Sequence, residues 1–442
     1  MGDSTKRVAL ISLGCAKNLV DSEVMLGYLL QSGRYALETE LAGADIIIVN
    51  TCGFIRPARE EAEEHFREAL RIKRQRPHVT VAAAGCYVQK DLTALRQKFP
   101  QIDLWTGVND FHHIVQLIEG KRFDPDESCF LYGHASPRKI STPPAWAYIK
   151  ISEGCSHSCV FCTIPRIKGP YRSRSVESVV SEARELAGRG VKEVNLISQD
   201  STYYGRDVGL GDGLAQLLEH LEKIPNLSWI RVLYSYPEEI TDRLLDTMRV
   251  EKICSYVDSP FQHADPTMVR KMRRGLDGTR ALRLIAKIRD RLPDAALRTS
   301  LIVGFPGEGP TEFAHLKEFV REAQFDHLGV FTYSHESDAP CASLEDTVPM
   351  REKEDRRQEI MEIQAGISAK RIERYVGARV PVLLEGRLQG EQNVLMGRTR
   401  YQAPEVDGVV LIPETPVDVP SGTLRTVEIL RSDVYDLHGK LI

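Results

Sequence analysis

Three cysteines stand in Glu153-Gly-Cys-Ser-His-Ser-Cys-Val-Phe-Cys162, spaced Cys155-x3-Cys159-x2-Cys162. Three thiolates on one short loop lack the fourth ligand that a structural zinc site needs. They suit a cubane iron–sulfur cluster with one iron left open. An open iron can bind a small molecule, so the spacing points to a reactive cluster rather than a sealed electron carrier. The plainer alternatives are a zinc loop that borrows His157, or reduced cysteines with no ligand. Cys15, Cys52 and Cys86 are far apart, yet each follows a strand-like run. Strand ends along one edge of a parallel sheet are where α/β folds bind ligands. Three loops there can gather three thiolates into a second cluster with an open iron. Against this stands the common fate of a free cysteine, burial in a core. Cys129, Cys254 and Cys341 have no partner at ligand spacing and read as bystanders.

The elements that must position these residues alternate along the chain. Arg7–Leu13, Asp45–Asn50, Val79–Ala84 and Ile102–Thr106 are strand-like runs. Helical patterns separate them over Asn18–Gln31, Ala58–Arg76, Asp91–Lys98 and Phe111–Ile118. This alternation predicts an α/β domain with a parallel sheet over residues 1–120. Residues 121–143 lose the rhythm and hold Pro125, Gly133, Pro137 and Pro143, as a linker would. The alternation resumes from residue 144 with strand candidates Ala147–Ser152, Glu193–Ser198, Trp229–Tyr234, Ser255–Asp258, Arg298–Val303 and Leu328–Tyr333. Six βα units fall short of the eight of a closed barrel, so an incomplete (β/α)6 barrel is expected. The helix pattern Arg351–Tyr375 completes a domain over 144–377. The tail, 378–442, changes to short β-rich runs at Val380–Leu384, Val409–Ile412 and Leu424–Leu430, a small all-β barrel.

Composition narrows the classes. The chain has 442 residues, 42% hydrophobic and 27% charged, which excludes a disordered chain. No apolar run approaches the ~20 residues of a membrane span, and no signal-peptide core stands at the N-terminus. The expectation is a cytoplasmic protein with no membrane partner. Nine cysteines are an odd number, and the cytosol keeps thiols reduced, so a disulfide framework is not expected. The net charge of −4, from 58 basic and 62 acidic residues, does not advertise nucleic-acid binding.

With these features assembled, the loop EGCSHSCVFC resembles the signature of the radical S-adenosylmethionine (SAM) enzymes. Three separated upstream cysteines, a six-unit barrel and a β-rich, TRAM-like tail resemble the methylthiotransferases over essentially the whole chain. Within that group the chain is most similar to the branch that modifies an aspartate of ribosomal protein uS12. The residues that carry this are Ser156-His157, Ile197-Ser-Gln-Asp-Ser-Thr-Tyr-Tyr-Gly205, Phe261-Gln-His263 and Gly397-Arg-Thr-Arg-Tyr-Gln-Ala-Pro-Glu-Val-Asp-Gly408. Ser201 stands where that branch is expected to carry threonine.

The resemblance implies two 4Fe–4S clusters, one on Cys155, Cys159 and Cys162 and one on Cys15, Cys52 and Cys86. The first would bind SAM and yield a 5′-deoxyadenosyl radical that takes hydrogen from the aspartate β-carbon. The second would carry the inserted sulfur, and a second SAM would supply the methyl group. An electron donor and a sulfur donor are implied as partners. No side chain can abstract such a hydrogen, so a cofactor must do the hard step.

Phe161 is similar to the aromatic that lies near the adenine in the family. Ser198, Gln199, Asp200, Ser235, Gln262 and Ser300 are polar residues at the carboxyl ends of predicted barrel strands, candidate cofactor contacts. Gly304 and Glu308 lie in Ile302-Val-Gly-Phe-Pro-Gly-Glu308, where glycine permits close backbone approach to a cofactor, a candidate contact, or simply makes a turn. Arg172 and Arg174 read either as contacts to anionic groups or as solvated charge.

Two rival functions remain. The same chemistry on tRNA would need a basic RNA-binding tail, but Ala378–Ile442 hold seven basic and nine acidic residues, net −2. An acidic tail suits a basic ribosomal protein. Glu405 and Asp407, between Pro404 and Gly408, are therefore expected in an exposed turn facing that partner, with the tail acting as an independent substrate reader. A two-cluster electron carrier would need four cysteines per cluster, and each set here offers three.

Overall fold

The computed structural model describes residues 5–124, 129–388, 390, 393–413 and 419–442. Pro125 of the linker, and Glu391, Glu414 and Asp418 of the tail's charge count, lie outside the described residues. The chain divides into two compact units. The first joins Met1–Ser141, Lys150–Val179 and Glu336–Pro340; the second joins Thr142–Ile149, Val180–His335 and Cys341–Ile442. The cluster loop thus groups with the N-terminal sheet, and the remaining barrel strands group with the tail.

In the first unit, strands β1 (Lys6–Ser12), β2 (Tyr35–Leu37), β3 (Ile46–Thr51), β4 (Thr80–Gly85) and β5 (Leu104–Thr106) form a parallel sheet in the order β2-β1-β3-β4-β5. Helices α1 (Ala16–Gln31), α2 (Arg56–Gln75), α3 (Cys86–Lys98) and α4 (Ile114–Ile118) supply the crossovers. All six residues of β3 are buried, as its unbroken Ile-Ile-Ile-Val run requires between two helical layers. Pro57 sits in the first turn of α2, where its missing N–H costs nothing. Phe66, Phe99, Val49 and Val81 form the centre of the core. Edge strand β2 has only three residues, too few to leave a periodic trace in the sequence.

The barrel strands are β6 (Trp146–Lys150), β9 (Glu193–Ile197), β10 (Trp229–Val232), β11 (Tyr256–Asp258), β12 (Ala296–Val303) and β13 (His327–Thr332), with a short pair β7 (Ser152–Glu153) and β8 (Arg172–Ser173) at the cluster loop. They hydrogen-bond in the orders β6-β9-β10 and β11-β12-β13. A parallel bridge from Ile230 to Ile253 ties β10 to the approach to β11. Among the described residues no ladder joins β13 to β6, so the (β/α)6 barrel is incomplete, as expected. Its helices are α5 (Ile164–Lys168), α6 (Val176–Gly188), α7 (Gly213–Leu221), α8 (Asp242–Thr247), α9 (Pro266–Lys271), α10 (Gly278–Arg291) and α11 (Pro310–Ala323), followed by α12 (Met350–Ile372).

Strands β14 (Arg379–Arg387), β15 (Leu395–Arg398), β16 (Val410–Ile412), β17 (Leu424–Ser432) and β18 (Leu437–Leu441) close a five-stranded barrel. Inward residues Val382, Leu384, Val427 and Ile429 fill it. Among the described residues no helix is long and apolar enough to cross a membrane.

Candidate functional site

Cys15, Cys52 and Cys86 stand at the carboxyl ends of β1, β3 and β4, on adjacent strands of one sheet. A Cβ on Gly14, whose φ is +93°, would lie 2.6 Å from Cys52 Cβ, and one on Gly53 would lie 2.7 Å from Tyr87 Cα and 3.0 Å from the Cys86 carbonyl carbon. Real Cβ atoms do not pack that closely, so glycine beside the cysteine lets each loop lie on the next. Asn18 Nδ2 donates to Leu13 O at 2.6 Å, and Asn50 Nδ2 donates to Asn18 O at 2.9 Å. These buried amides pin the first cysteine loop to the second. Their only trace in the sequence is their place, Asn50 near the end of β3 and Asn18 in the first turn of α1.

The thiols are electrostatically aware of one another. Cys15 is the N-cap residue of α1 and Cys86 opens α3, positions that favour a thiolate. Cys52 has no helix start beside it, and burial pushes its thiol up to about 11 with help from the neighbouring Cys15. Burial likewise pushes Cys86 up, against the pull of the Lys168 ammonium. Crowded thiolates of like charge are the arrangement that a cationic metal centre relieves. Among the described residues no three His, Cys, Asp or Glu side chains stand where they could grip one metal ion. A cubane takes one thiolate per iron, so the donor set fits it by chemistry and number: soft sulfurs on three adjacent loops.

Cys155, Cys159 and Cys162 belong to the same unit as these three. Their loop is closed at the base by β7 against β8, with Ser152 opposite Ser173 and Glu153 opposite Arg172. Cys155 N donates to Gly169 O at 3.1 Å. Cys155 and Cys159 are each 9% exposed, and Phe161 is half-buried. Ile167, just after the loop, packs with Cys86, Cys129 and Val108, so the bystander Cys129 lies beside a candidate ligand.

Beneath the loop lies a buried quartet that the sequence did not announce. Lys150 Nζ bridges Asp21 and Glu153. Lys168 Nζ is 3.0 Å from Asp21 and 3.6 Å from Glu153. All four side chains are at most 4% exposed. Burial alone would push Glu153 up; the ammoniums of Lys150 and Lys168 overcome it and hold the carboxyl at about 2. Through this quartet α1, which Cys15 caps, is tied to both ends of the loop that carries the other three cysteines. Lys90, paired with Glu336 at 2.9 Å and Asp338 at 2.8 Å, fastens the segment after β13 to the same unit.

Arg172 is half-buried and Arg174 buried, against the reading of solvated charge. Arg172 donates to Cys129 O. Arg174 is buried, stacks its guanidinium 4.3 Å from the Tyr132 ring centroid and donates to Lys150 O at 3.0 Å. Both arginines hold backbone around the cluster loop.

The other candidate contacts lie in the second unit, at or near the carboxyl ends of its strands. Ser198 is buried, its hydroxyl 3.3 Å from that of Ser201. The half-buried Gln199 follows it, and Asp200 caps a short turn by accepting from Thr202 N at 2.9 Å. Gln262 is half-buried and adopts φ +70°, with its N–H on Ser300 O at 2.9 Å. Tyr234, not singled out beforehand, also has a positive φ, +62°, and precedes the buried Ser235. Non-glycine residues held there store strain, which clusters at functional sites. At Gly304 a Cβ would meet the Lys353 stem at 2.3 Å, so what approaches this glycine is α12. Gly304 N and His263 Nε2 both reach Glu308 at 3.1 Å, and Arg356 pairs with it at 2.5 Å. Burial opposes ionisation of Glu308, but His263, the Gly304 N–H and Arg356 hold its carboxyl below the usual range.

The tail corrects the electrostatic reading. Asp407 is not in an exposed turn: its side chain is 0% exposed, accepting from Tyr256 Oη at 2.6 Å and Ala403 N at 2.7 Å and pairing with Arg298 at 2.7 Å. Glu405 is exposed but accepts from Tyr148 Oη at 2.8 Å. Glu385 pairs with the buried Arg398, which also pairs with Glu193. The loop between β15 and β16 is seated against the strands β6 to β13, not turned to solvent. The net −2 therefore does not describe the tail's surface.

Comparison with known proteins agrees with this architecture. Residues 149–320 match the radical SAM superfamily, 7–107 the uncharacterized protein family UPF0004, and 376–442 the TRAM domain. The radical SAM methyltransferase TsrM from Kitasatospora setae superposes with a TM-score of 0.55 at 17% identity, over 76% of this chain and 75% of its own, a likeness of fold. The fold and the cysteine loop define a radical SAM enzyme with an added TRAM barrel. The ribosomal protein uS12 methylthiotransferase RimO of Syntrophotalea carbinolica is 44% identical over 99% of this chain and 97% of its own. RimO of Geobacter sulfurreducens is 41% identical over the full length of both. The chain belongs to the RimO family of radical SAM methylthiotransferases.

Proposed function

We propose that this enzyme inserts sulfur and a methyl group at the β-carbon of an aspartate in ribosomal protein uS12, using two 4Fe–4S clusters. Cys155, Cys159 and Cys162 would hold the cluster that serves SAM; Cys15, Cys52 and Cys86 would hold the other. The observation that carries this reading is that all six cysteines belong to one compact unit, stitched by the Asp21–Lys150–Glu153–Lys168 quartet. Sulfur transfer between two centres needs that common frame. When bound, the clusters and SAM supply one-electron cleavage and a radical strong enough to take an unactivated hydrogen. The chain's own residues orient and enclose. Phe161, Ser198, Gln199, Ser235, Gln262 and Ser300 contact SAM, and the glycines beside Cys15 and Cys52 keep the second cysteine set close. An electron donor and a sulfur donor complete the cycle, and uS12, free or in the small subunit, makes the cytoplasm its place of action.

The test is mass spectrometry of uS12 and of tRNA from cells with and without this chain. A methylthio mass increment on a uS12 aspartate that disappears with the chain supports the reading. Loss of a tRNA methylthio group with uS12 unchanged overturns it in favour of the tRNA-modifying chemistry.

A further inference from the structure

In β11, β12 and β13, Asp258, Arg298 and His327 stand side by side in register. Arg298 lies between two carboxylates: 2.7 Å from Asp407 Oδ1, on the loop of the C-terminal barrel, and 3.7 Å from Asp258 Oδ1. The second oxygen of Asp258 accepts the N–H of Tyr234 at 3.0 Å, and its backbone carbonyl accepts the N–H of Ser235 at 2.7 Å. Tyr234 is the residue held at φ +62°. An aromatic residue in that region is a genuine outlier, sustained only by its surroundings. One row of charges thus runs from the C-terminal barrel to the strained corner at the carboxyl end of β10, where barrel enzymes carry their sites.

We propose that Asp407 is a positioning residue for that end of the barrel. By engaging Arg298 from below, it shares that guanidinium with Asp258, whose other oxygen holds the Tyr234–Ser235 corner. Without Asp407, the Arg298 guanidinium has one carboxylate left and turns Asp258 toward itself, away from the Tyr234 N–H. The C-terminal barrel then shapes the cofactor end of the neighbouring barrel. The consequence for SAM rests on the reading that Ser235 and its neighbours contact it.

The test uses the full chain. Amide hydrogen exchange over residues 229–240, without cofactor, compares wild type with Asp407→Asn, which keeps an acceptor for Tyr256 and Ala403 but removes the charge. Exchange at Tyr234 and Ser235 is expected to quicken about tenfold, with Leu424–Ser432 unchanged. Asp258→Ala, which removes the acceptor of the Tyr234 N–H and leaves the C-terminal loop's own contacts intact, is expected to do the same. It keeps the test decisive if Asp407→Asn misfolds. In reconstituted enzyme, KM for SAM is expected to rise more than kcat falls. Unchanged exchange at 234 and 235 in either folded variant overturns the link. Faster exchange with an unchanged KM overturns its role in positioning. A wild-type enzyme that fails to cleave SAM would instead count against the proposed function.

Discussion

The two units each bury a network of charges, and the networks are built differently. Around the cysteines, two lysines meet two acids within the first unit: Lys150 and Lys168 with Asp21 and Glu153. In the second unit arginines do the work: Arg231 and Arg398 grip Glu193 at 2.8 and 2.6 Å, and Arg298 grips Asp407. Arginine forks fix direction as well as charge, which suits a joint between two folded barrels. Compact ammoniums can each serve two carboxylates at once, which suits a junction of α1, β6 and α5. Buried pairs of either kind add little net stability, but removing one partner leaves a buried charge uncompensated. Both networks therefore act as registers, and what each one registers differs.

That contrast can be broken at its largest scale by removing residues 378–442. The sequence reading made this tail an independent reader whose loss would spare the rest. The structure predicts otherwise: Glu193 would lose Arg398, Arg231 its bond to the Arg400 carbonyl and Arg298 its pairing with Asp407, so the shortened chain should aggregate or expose apolar surface to a fluorescent dye. A shortened chain that melts like wild type would dissolve the joint.

Single substitutions should separate the units. Asp21→Ala and Glu193→Ala should each destabilise by about 3–5 kcal/mol in chemical unfolding. Only Asp21→Ala should also lower the iron retained after reconstitution, because only its network borders the cysteine loops. Equal iron loss in both would erase the distinction. Tyr256→Phe removes one hydrogen bond to the Asp407 carboxylate and should cost about 1.5–3 kcal/mol, read from the same unfolding curves.

The smallest expected effect is one of pH. Burial opposes ionisation of Glu193, but Arg398 and Arg231 hold its carboxyl below the ordinary range. A depressed folded value stabilises above the unfolded pKa, and that stability is lost as pH falls through the folded value. The melting temperature of the cofactor-free chain should therefore drop below about pH 4.3, and less steeply in Glu193→Gln. Parallel pH profiles for the two would remove Glu193 from the acid response.

Much of the first unit was legible because its signals are local. Cysteine follows strand at three places, and Cys155, Cys159 and Cys162 sit within eight positions of one another. Strand and helix runs were read within a few residues of their ends, since long apolar runs leave little choice. Elements without an apolar run escaped: β2, β15, β18 and α9 mix glycine, polar or charged residues into a few positions. The networks escaped for another reason. Asp407 has Pro404 and Gly408 beside it, the local grammar of a surface turn, while its partner Arg298 lies 109 positions away. Glu193 and Arg398 are 205 apart. Lys150 ends an apolar strand, and nothing near it in sequence names Asp21 as its partner. A charge count treats all such residues as surface, and so it misread the tail.

Iron content tests the central claim, two clusters on two cysteine sets, most directly. Anaerobically reconstituted wild-type chain should hold about eight irons. Replacing Cys155, Cys159 and Cys162 with alanine should halve this, and so should replacing Cys15, Cys52 and Cys86. Full iron content in a folded Cys15→Ala/Cys52→Ala/Cys86→Ala variant would contradict the second cluster.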